Sequence, residues 1–475
     1  MQLKFLSLLF LLYTPFSYSQ DSMDLDEIDQ SNIKDLSLSD QAVLLSLKDA
    51  IEIGLRKNNH EITKNYQFHI SENIYKNARY DLYFPKLSLK MSTNPQFLED
   101  IYRDNISNQS NEKTPDGFVG LVFDQYTLFN WGKDYLTYVN AKEQFERQKE
   151  NLDESKRETR FLILEQYFKL AKYRRIVEIY KKQLKQTSFI YRLAKEKRKS
   201  NKIKYQELLD AKSTFLDAHK KFHNALAYYQ QEEANLANIL GDDPSTTYKV
   251  VNQLKYFPLT ESASALLSNR IKENPRVKDA LLDLRTANRN YEKSLKENLP
   301  LPKFTVNLGA YKRTFSNSGL NDDYNTFDNS NNVELVGSID MSWTIFGSGG
   351  FLNSRVKENA YFKKRVAQIN YNESIRETKI DSRYALKTIQ YLEQKYKAVE
   401  LEKKNARDLY DVSIDGYISS KLNFVSLRNA LYTQEKSLLE YENTKYEHLF
   451  YKIYLAKELA LYDFPGERFE DLTLQ

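Results

Sequence analysis

The chain has 475 residues, too many for one ordinary small domain, and only 13 glycines and 10 prolines, about 5% together where average usage is roughly 12%. So few turn formers exclude a loop-rich sandwich or a βαβ enzyme and favour long helices in an elongated architecture. Lys+Arg 70 against Asp+Glu 65 leaves a formal charge of +5 over the whole chain, unlike the concentrated basic footprint of a nucleic-acid binder. Cysteine is absent, which removes disulfides, thiolate-held metals and thiol catalysis.

The first twenty residues, MQLKFLSLLFLLYTPFSYSQ, read as a cleaved secretory signal over 1–19. Lys4 precedes a largely apolar run, Phe5 to Leu12, and Ser17 and Ser19 occupy the small-residue positions of a cleavage site. The apolar run is well short of the roughly 20 residues a membrane-spanning helix needs, and no later stretch reaches that length. Residues 20–40 carry seven acids against one lysine and are expected to form an acidic leader.

Beyond the leader the sequence repeats itself. LRKNNHEI (55–62) matches NRIKENPRV (269–277) with Asn59 opposite Asn274; GLVFDQYTLFNWG (120–132) lies against GSIDMSWTIFGSG (337–349), and SNKIKYQELLDA (200–211) against SSKLNFVSLRNA (419–430). The spacing predicts two copies of one unit, 41–240 and 262–464, joined by a linker over 241–261 and followed by a tail over 465–475. Each unit is predicted to hold an amphipathic helix, two strands and a helical hairpin. The strands are expected over about 86–98 and 117–129, then about 302–315 and 333–346, with hairpins over 133–240 and 351–464.

From Lys133 to Leu240 there is neither Gly nor Pro, and from Phe351 to Phe464 only Gly416 intervenes. Such stretches are predicted to fold back as antiparallel coiled coils reversing near Ser200 and Ser420. Val177, Tyr180, Leu184, Thr187, Tyr191 and Ala194 step by three and four. Leu208, Ala211, Phe215, Ala218, Phe222, Ala225 and Tyr229 keep that step on the returning arm, which breaks at Glu232 and resumes at Leu236 and Ile239.

The strand segments alternate with period two. Leu335, Gly337, Ile339, Met341, Trp343 and Ile345 form one apolar face, and its large members are expected to face lipid. Leu87, Leu89 and Met91, then Phe304, Val306, Leu308 and Ala310, alternate likewise. In the second strand Gly120, Val122, Tyr126 and Leu128 are assigned to the apolar face, with Asp124 out of pattern. The connecting segments, 98–117 and 316–332, are long and polar, as the outer loops of a membrane barrel are. Four strands cannot close a barrel and lipid tolerates no open edge, so the pattern demands an oligomer.

The signal, the duplicated unit, the NPRV helix start, the TLFNWG and TIFGSG strand-to-helix transitions and a reversal resembling G-x-x-S-x-x-D-L-L-x-A together resemble the TolC family of outer-membrane efflux proteins over about 41–460. The resemblance implies a mainly α fold with membrane β: four barrel strands per chain from two tandem repeats, a twelve-stranded barrel as a homotrimer, and coiled-coil hairpins forming a periplasmic tunnel. It implies a passive exit duct of a tripartite efflux or type I secretion system in the outer membrane. The implied partners are outer-membrane lipid, a periplasmic adaptor and an inner-membrane pump of RND or ABC type; no cofactor is implied. Carried over residue by residue, the tips that would meet the adaptor are Ser200, Asn201 and Lys202 in one copy and Ser419, Ser420 and Lys421 in the other. The periplasmic gate falls on Glu207, Asp210, Tyr417, Ser426 and Asn429. The family's acidic ring is missing from the second copy, where Ser426 and Asn429 replace the acids. The family's basic tip residue is replaced by Leu422, which leaves Tyr417 with Glu207 as the expected link between hairpins.

No enzyme motif stands out. His219 and His223 are spaced i, i+4 on a helix, but there is no HExxH and no third ligand, so a solvated helix face is the favoured reading. Gly347-Ser348-Gly349-Gly350 lacks the Lys of a phosphate loop and reads as a turn. The alternative to a duct is a coiled-coil structural or adhesive surface protein, which would share the signal and heptads but has no need of duplicated apolar-faced strands.

Overall fold

A computed structural model describes residues 43–93, 117–250, 254–259, 270–315, 334–347, 350–464 and 467–472. The expected signal (1–19) and leader (20–40), nearly all of both polar loops, parts of the linker and tail, and Ser348 and Gly349 lie outside the described residues. In chain order the elements are β1 (Val43–Leu45), α1 (Leu47–Lys57), α2 (Asn59–Tyr83), β2 (Lys86–Thr93), β3 (Gly117–Phe129), α3 (Lys133–Lys199) and α4 (Tyr205–Leu240). Then follow β4 (Tyr248–Val250), α5 (Pro275–Glu297), β5 (Lys303–Phe315), β6 (Glu334–Ser342), α6 (Ser354–Ile418) and α7 (Phe424–Glu458). Among the described residues no helix is long and apolar enough to cross a membrane.

Helices α2 and α5 start in the same way. Asn58 Oδ1 accepts the His60 N–H at 2.7 Å and Asn274 Oδ1 accepts the Arg276 N–H at 2.9 Å, each satisfying a donor that the first turn leaves open. The other end of each amide reaches the returning long helix, Asn58 Nδ2 to the Ile239 carbonyl and Asn274 Nδ2 to that of Glu458. The equivalent residues are therefore Asn58 and Asn274, one place from the pairing the aligned sequences suggested, because two adjacent asparagines fit the alignment and only the first caps.

The 67-residue α3 extends about 100 Å and packs along α4, while α6 packs along α7. The seam positions Leu184, Ala194, Ala211, Phe215, Ala218 and Phe222 are buried, and Tyr191 stacks on Phe215. The break in the seam at Glu232 is a buried polar insertion: its carboxylate takes Lys169 Nζ at 2.9 Å and Gln166 Nε2 at 2.8 Å, which offsets the cost of burying the charge. Parallel strands β1 and β4 pair beside the hairpins, and one apolar cluster gathers Leu45, Phe161, Tyr167, Phe222, Val250, Ile453 and Phe469 from both halves of the chain. Next to it a polar knot ties the linker and tail to α6 and α7. Lys452 Nζ donates to Glu467 at 2.6 Å and to the Phe257 carbonyl at 3.2 Å, and His448 Nε2 lies 3.3 Å from Glu393.

The four longer strands form one antiparallel sheet in the order β2-β3-β5-β6, leaving β2 and β6 as its edges. Directly paired residues share a face. Leu121 pairs with Leu89 and Ala310, Phe123 with Leu87 and Leu308, and Ala310 with Leu335. This corrects the expected face of β3: Leu121 and Phe123 join the apolar side, while Gly120 and Val122 pair with Lys90 and Ser88 on the other. A bulge is the cause. Between Phe123 and Tyr126 the β3 strand advances three residues where β5 advances two, and the extra residue reverses the alternation so that Tyr126 returns to the apolar side with Val306. β6 ends at Ser342, so Trp343 and Ile345 of the predicted strand lie beyond its last ladder pair.

Candidate functional site

Two features of this fold point to function: the uncovered face of the sheet and the meeting of the two hairpin tips. Leu87, Leu89, Met91, Leu121, Leu308, Leu335, Ile339 and Met341 are all exposed, Leu335 at 84%. Their shared face is thus a contiguous apolar surface that, among the described residues, no helix covers. The opposite face is polar in part: Asn307 donates to Ser338 Oγ at 3.3 Å and to Asp340. Trp343 and Ile345 are exposed as well.

At the far end of the helices both hairpins turn with the same backbone. The residues after the helix caps, Asn201 and Ser420, have φ of 53° and 60°, the left-handed region that costs a side-chain-bearing residue about 1–2 kcal/mol. This is why the motif that the sequence resembles has glycine there. The turns close with Lys202 N–H on the Lys197 carbonyl and Lys421 N–H on that of Gly416, each at 2.8 Å. Ser200, Asn201 and Lys202, and Ser419, Ser420 and Lys421, are exposed.

The tips share a small core of Ile190, Ala194, Ala211, Tyr410, Tyr417, Phe424, Leu427 and Leu431, drawn from all four long helices. Around it, side chains of the first hairpin close both helix ends of the second hairpin's turn. Lys197 Nζ donates to the Tyr417 carbonyl, in the last turn of α6, and to Ser420 Oγ at 3.1 Å. It also lies 4.3 Å from the centre of the Tyr417 ring. Glu207 Oε1 accepts the N–H of Phe424, the first residue of α7, at 3.2 Å. An ammonium thus meets a helix C-terminus and a carboxylate a helix N-terminus, each where the helix dipole favours it. Burial lowers the Lys197 pKa from its ordinary value, and the Glu207 carboxylate opposes that shift.

Of the sequence-predicted gate residues, Tyr417 and Glu207 are brought together. The Tyr417 hydroxyl is buried without an aligned hydrogen-bond partner; burial first, and then the nearby Glu207 carboxylate, push its pKa up to about 12. Asp210 is half-buried one turn further along α4, where its carbonyl accepts the Thr214 hydroxyl. Ser426 and Asn429 are exposed on the first turns of α7, with the Ser426 N–H capped by Asn423 Oδ1 at 2.9 Å. Leu422, at the position that resembles the family's basic tip residue, packs against Gly416, where a β-carbon would lie 2.6 Å from its Cδ1. Sequence reasoning missed Lys197. The available signal was its place three residues beyond Ala194, on the same face as the seam.

Comparison with known proteins agrees with this architecture. Residues 75–242 match the outer membrane efflux protein family. No curated protein sequence matches the chain. Among solved structures, a membrane protein from Pseudomonas aeruginosa superposes with a TM-score of 0.73 at 15% identity, over 90% of this chain and 92% of its own. The outer membrane protein VceC from Vibrio cholerae gives 0.72 at 14% identity, over 87% and 95%. The CmeC outer membrane channel from Campylobacter jejuni gives 0.72 at 15%, over 90% and 88%.

Proposed function

We propose that this chain, which matches the outer membrane efflux protein family over residues 75–242, is one third of a passive exit duct whose periplasmic end is held closed at the hairpin tips. The protein is an outer-membrane efflux channel subunit with a large periplasmic helical portion. What carries the trimeric reading is the sheet: four strands, an exposed apolar face and two edges, β2 and β6, that a bilayer would leave unsatisfied. Three copies joined β6 to β2 give twelve strands, with the Leu335–Met341 face toward lipid and the Asn307–Asp340 face toward the lumen. Exposed apolar residues on the long helix α6, Ile369, Ile380, Tyr391, Leu401 and Val412, recur about every eleven residues, the spacing of a nearly straight stripe, and suit helix packing between copies around a tunnel.

In this reading α3–α4 and α6–α7 form the tunnel wall. The exposed tips, Ser200 to Lys202 and Ser419 to Lys421, meet a periplasmic adaptor that links the duct to an inner-membrane pump. Lys197 and Glu207 keep the tunnel narrow by holding the second hairpin against the first. Ser426 and Asn429 carry no charge, so the constriction is polar rather than an acidic ring, and the first hairpin's Glu207 carboxylate is engaged by the Phe424 N–H.

The experiment is membrane fractionation followed by a mass measurement of the detergent-solubilised protein. Recovery in the outer membrane at three times the chain mass supports the duct. A soluble monomer or an elongated dimer would refute it.

A further inference from the structure

Helix α4 carries a pair of histidines whose geometry the duct reading does not use. His219 and His223 stand one turn apart, and their Nε2 atoms lie 3.2 Å apart. A metal held by two imidazoles at about 2.0–2.1 Å requires its two nitrogens to be roughly 2.9 Å apart at a right angle and roughly 3.3 Å apart at a tetrahedral one. The observed separation falls between these limits with no movement of either ring.

The rings are supported from behind. His219 packs at 6.4 Å on the ring of Phe215 and His223 at 5.5 Å on that of Phe222, and both phenylalanines are buried in the seam. His219 is half-buried and His223 exposed, so a metal can arrive from solvent. The neighbouring ammonium groups are engaged elsewhere: Lys221 with Glu435 and Asp217, and Lys220 with Asp217. Among the described residues no cluster of three or more His, Cys, Asp or Glu surrounds a common point, so water must complete the coordination.

We infer that His219 and His223 form a two-imidazole site for a borderline divalent transition metal, Cu2+, Ni2+ or Zn2+, on the first hairpin. It lies 14 residues beyond the start of α4 at Tyr205, about 21 Å from the tip. Imidazole prefers these ions, with Cu2+ bound most tightly, and is a poor ligand for Mg2+ and Ca2+. In the metal-free protein a hydrogen bond from one Nε2–H to the other Nε2 accounts for the same separation. The site stands independently of the duct reading, since it requires only that α4 be folded.

The test is calorimetric titration of the intact, detergent-solubilised protein, purified without a polyhistidine tag, with CuCl2, NiCl2 or ZnCl2. One ion per chain should bind. His223→Ala should weaken binding at least about tenfold, since loss of a ligand costs no less than the 10- to 100-fold of a lost supporting contact. His69→Ala, which removes an exposed histidine on α2 that lies beside Glu72, should leave the affinity unchanged. The electron paramagnetic resonance spectrum of the Cu2+ complex should show two equivalent nitrogens in the wild type and lose that pattern in His223→Ala, while circular dichroism stays constant. Equal affinity in wild type and His223→Ala, or transfer of the loss to His69→Ala, would overturn the assignment.

Discussion

Lys197 and Tyr417 stand 220 residues apart in sequence and are bonded at the hairpin tips, the ammonium donating to the Tyr417 carbonyl while resting over the Tyr417 ring. With Glu207 on the Phe424 N–H, this contact makes the turn between α6 and α7 a ligand of the first hairpin. The energetics favour the ammonium. A hydrogen bond from a charged donor contributes about 1.5–3 kcal/mol when shielded, and the ring adds about 0.5–2 kcal/mol.

The Tyr417 hydroxyl should matter less than its ring. Because it has no aligned acceptor, Tyr417→Phe should change single-channel conductance little near neutral pH, whereas Tyr417→Ala, which removes the surface under the ammonium, should raise it. At high pH the phenol becomes visible. Its pKa is raised in the fold to about 12, so its contribution is fully present below pH 10 and is lost as pH rises from 10 through 12. That loss amounts to roughly 2–3 kcal/mol. Alkaline unfolding should therefore begin at lower pH in the wild type than in Tyr417→Phe, and coincident curves would show that the hydroxyl is not buried.

Glu207 acts by charge as well as by hydrogen bonding. Glu207→Gln keeps an acceptor for the Phe424 N–H but removes the favourable charge at the start of α7, an effect of about 0.3–1 kcal/mol. Glu207→Ala removes both and should raise conductance further. Combined with Lys197→Met, either substitution should add less than it does alone, because the two groups hold the same turn. Full additivity in that double-mutant cycle would show that they act separately.

The sheet assignment predicts an asymmetry along β6. Ile339 lies near the middle of the strand on the apolar face, and Ser338 next to it on the polar one. Ile339→Arg should cost about 2–4 kcal/mol if it faces the bilayer midplane, read as lost trimer assembly in detergent extracts. Ser338→Arg should assemble normally. Met341, next to the last ladder pair, should show a smaller penalty than Ile339.

The polar knot around His448 predicts sensitivity to acid. Burial first, and then the Lys452 ammonium, push the His448 pKa down to about 4, against the pull of Glu393. The unfolded chain takes up this proton near pH 6.5 and the folded one only near pH 4, so stability is complete above pH 6.5 and falls as pH drops through that window. The loss is on the order of 3 kcal/mol. Thermal melts of the solubilised protein should show His448→Gln losing less stability than the wild type between pH 6.5 and 4.

What the sequence reveals depends on how far the partners lie apart. The helical seam was legible because Leu184, Ala194, Phe215 and Phe222 repeat locally at 3.5 residues. The apolar faces of β2, β5 and β6 followed from strict alternation. That of β3 did not, because one extra residue between Phe123 and Tyr126 reverses the parity and leaves no local trace beyond the odd Asp124. Lys197 was not legible as a functional residue, since a lysine in a charged helix reads as solvated until the helix end that it caps, 220 residues on, is in place.

Single-channel recording in planar lipid bilayers, comparing the purified wild type with Lys197→Met, tests the central claim that this is a duct closed at its tips by a clamp between hairpins. The wild type should insert as a channel of low conductance. Lys197→Met should shift the closed-to-open ratio by about tenfold or more, from the 1.5–3 kcal/mol of the lost charged hydrogen bond, and should be seen as a larger and longer-lived open level. A protein that inserts but conducts equally with and without Lys197 would contradict the clamp, and one that never conducts in either form would contradict the duct.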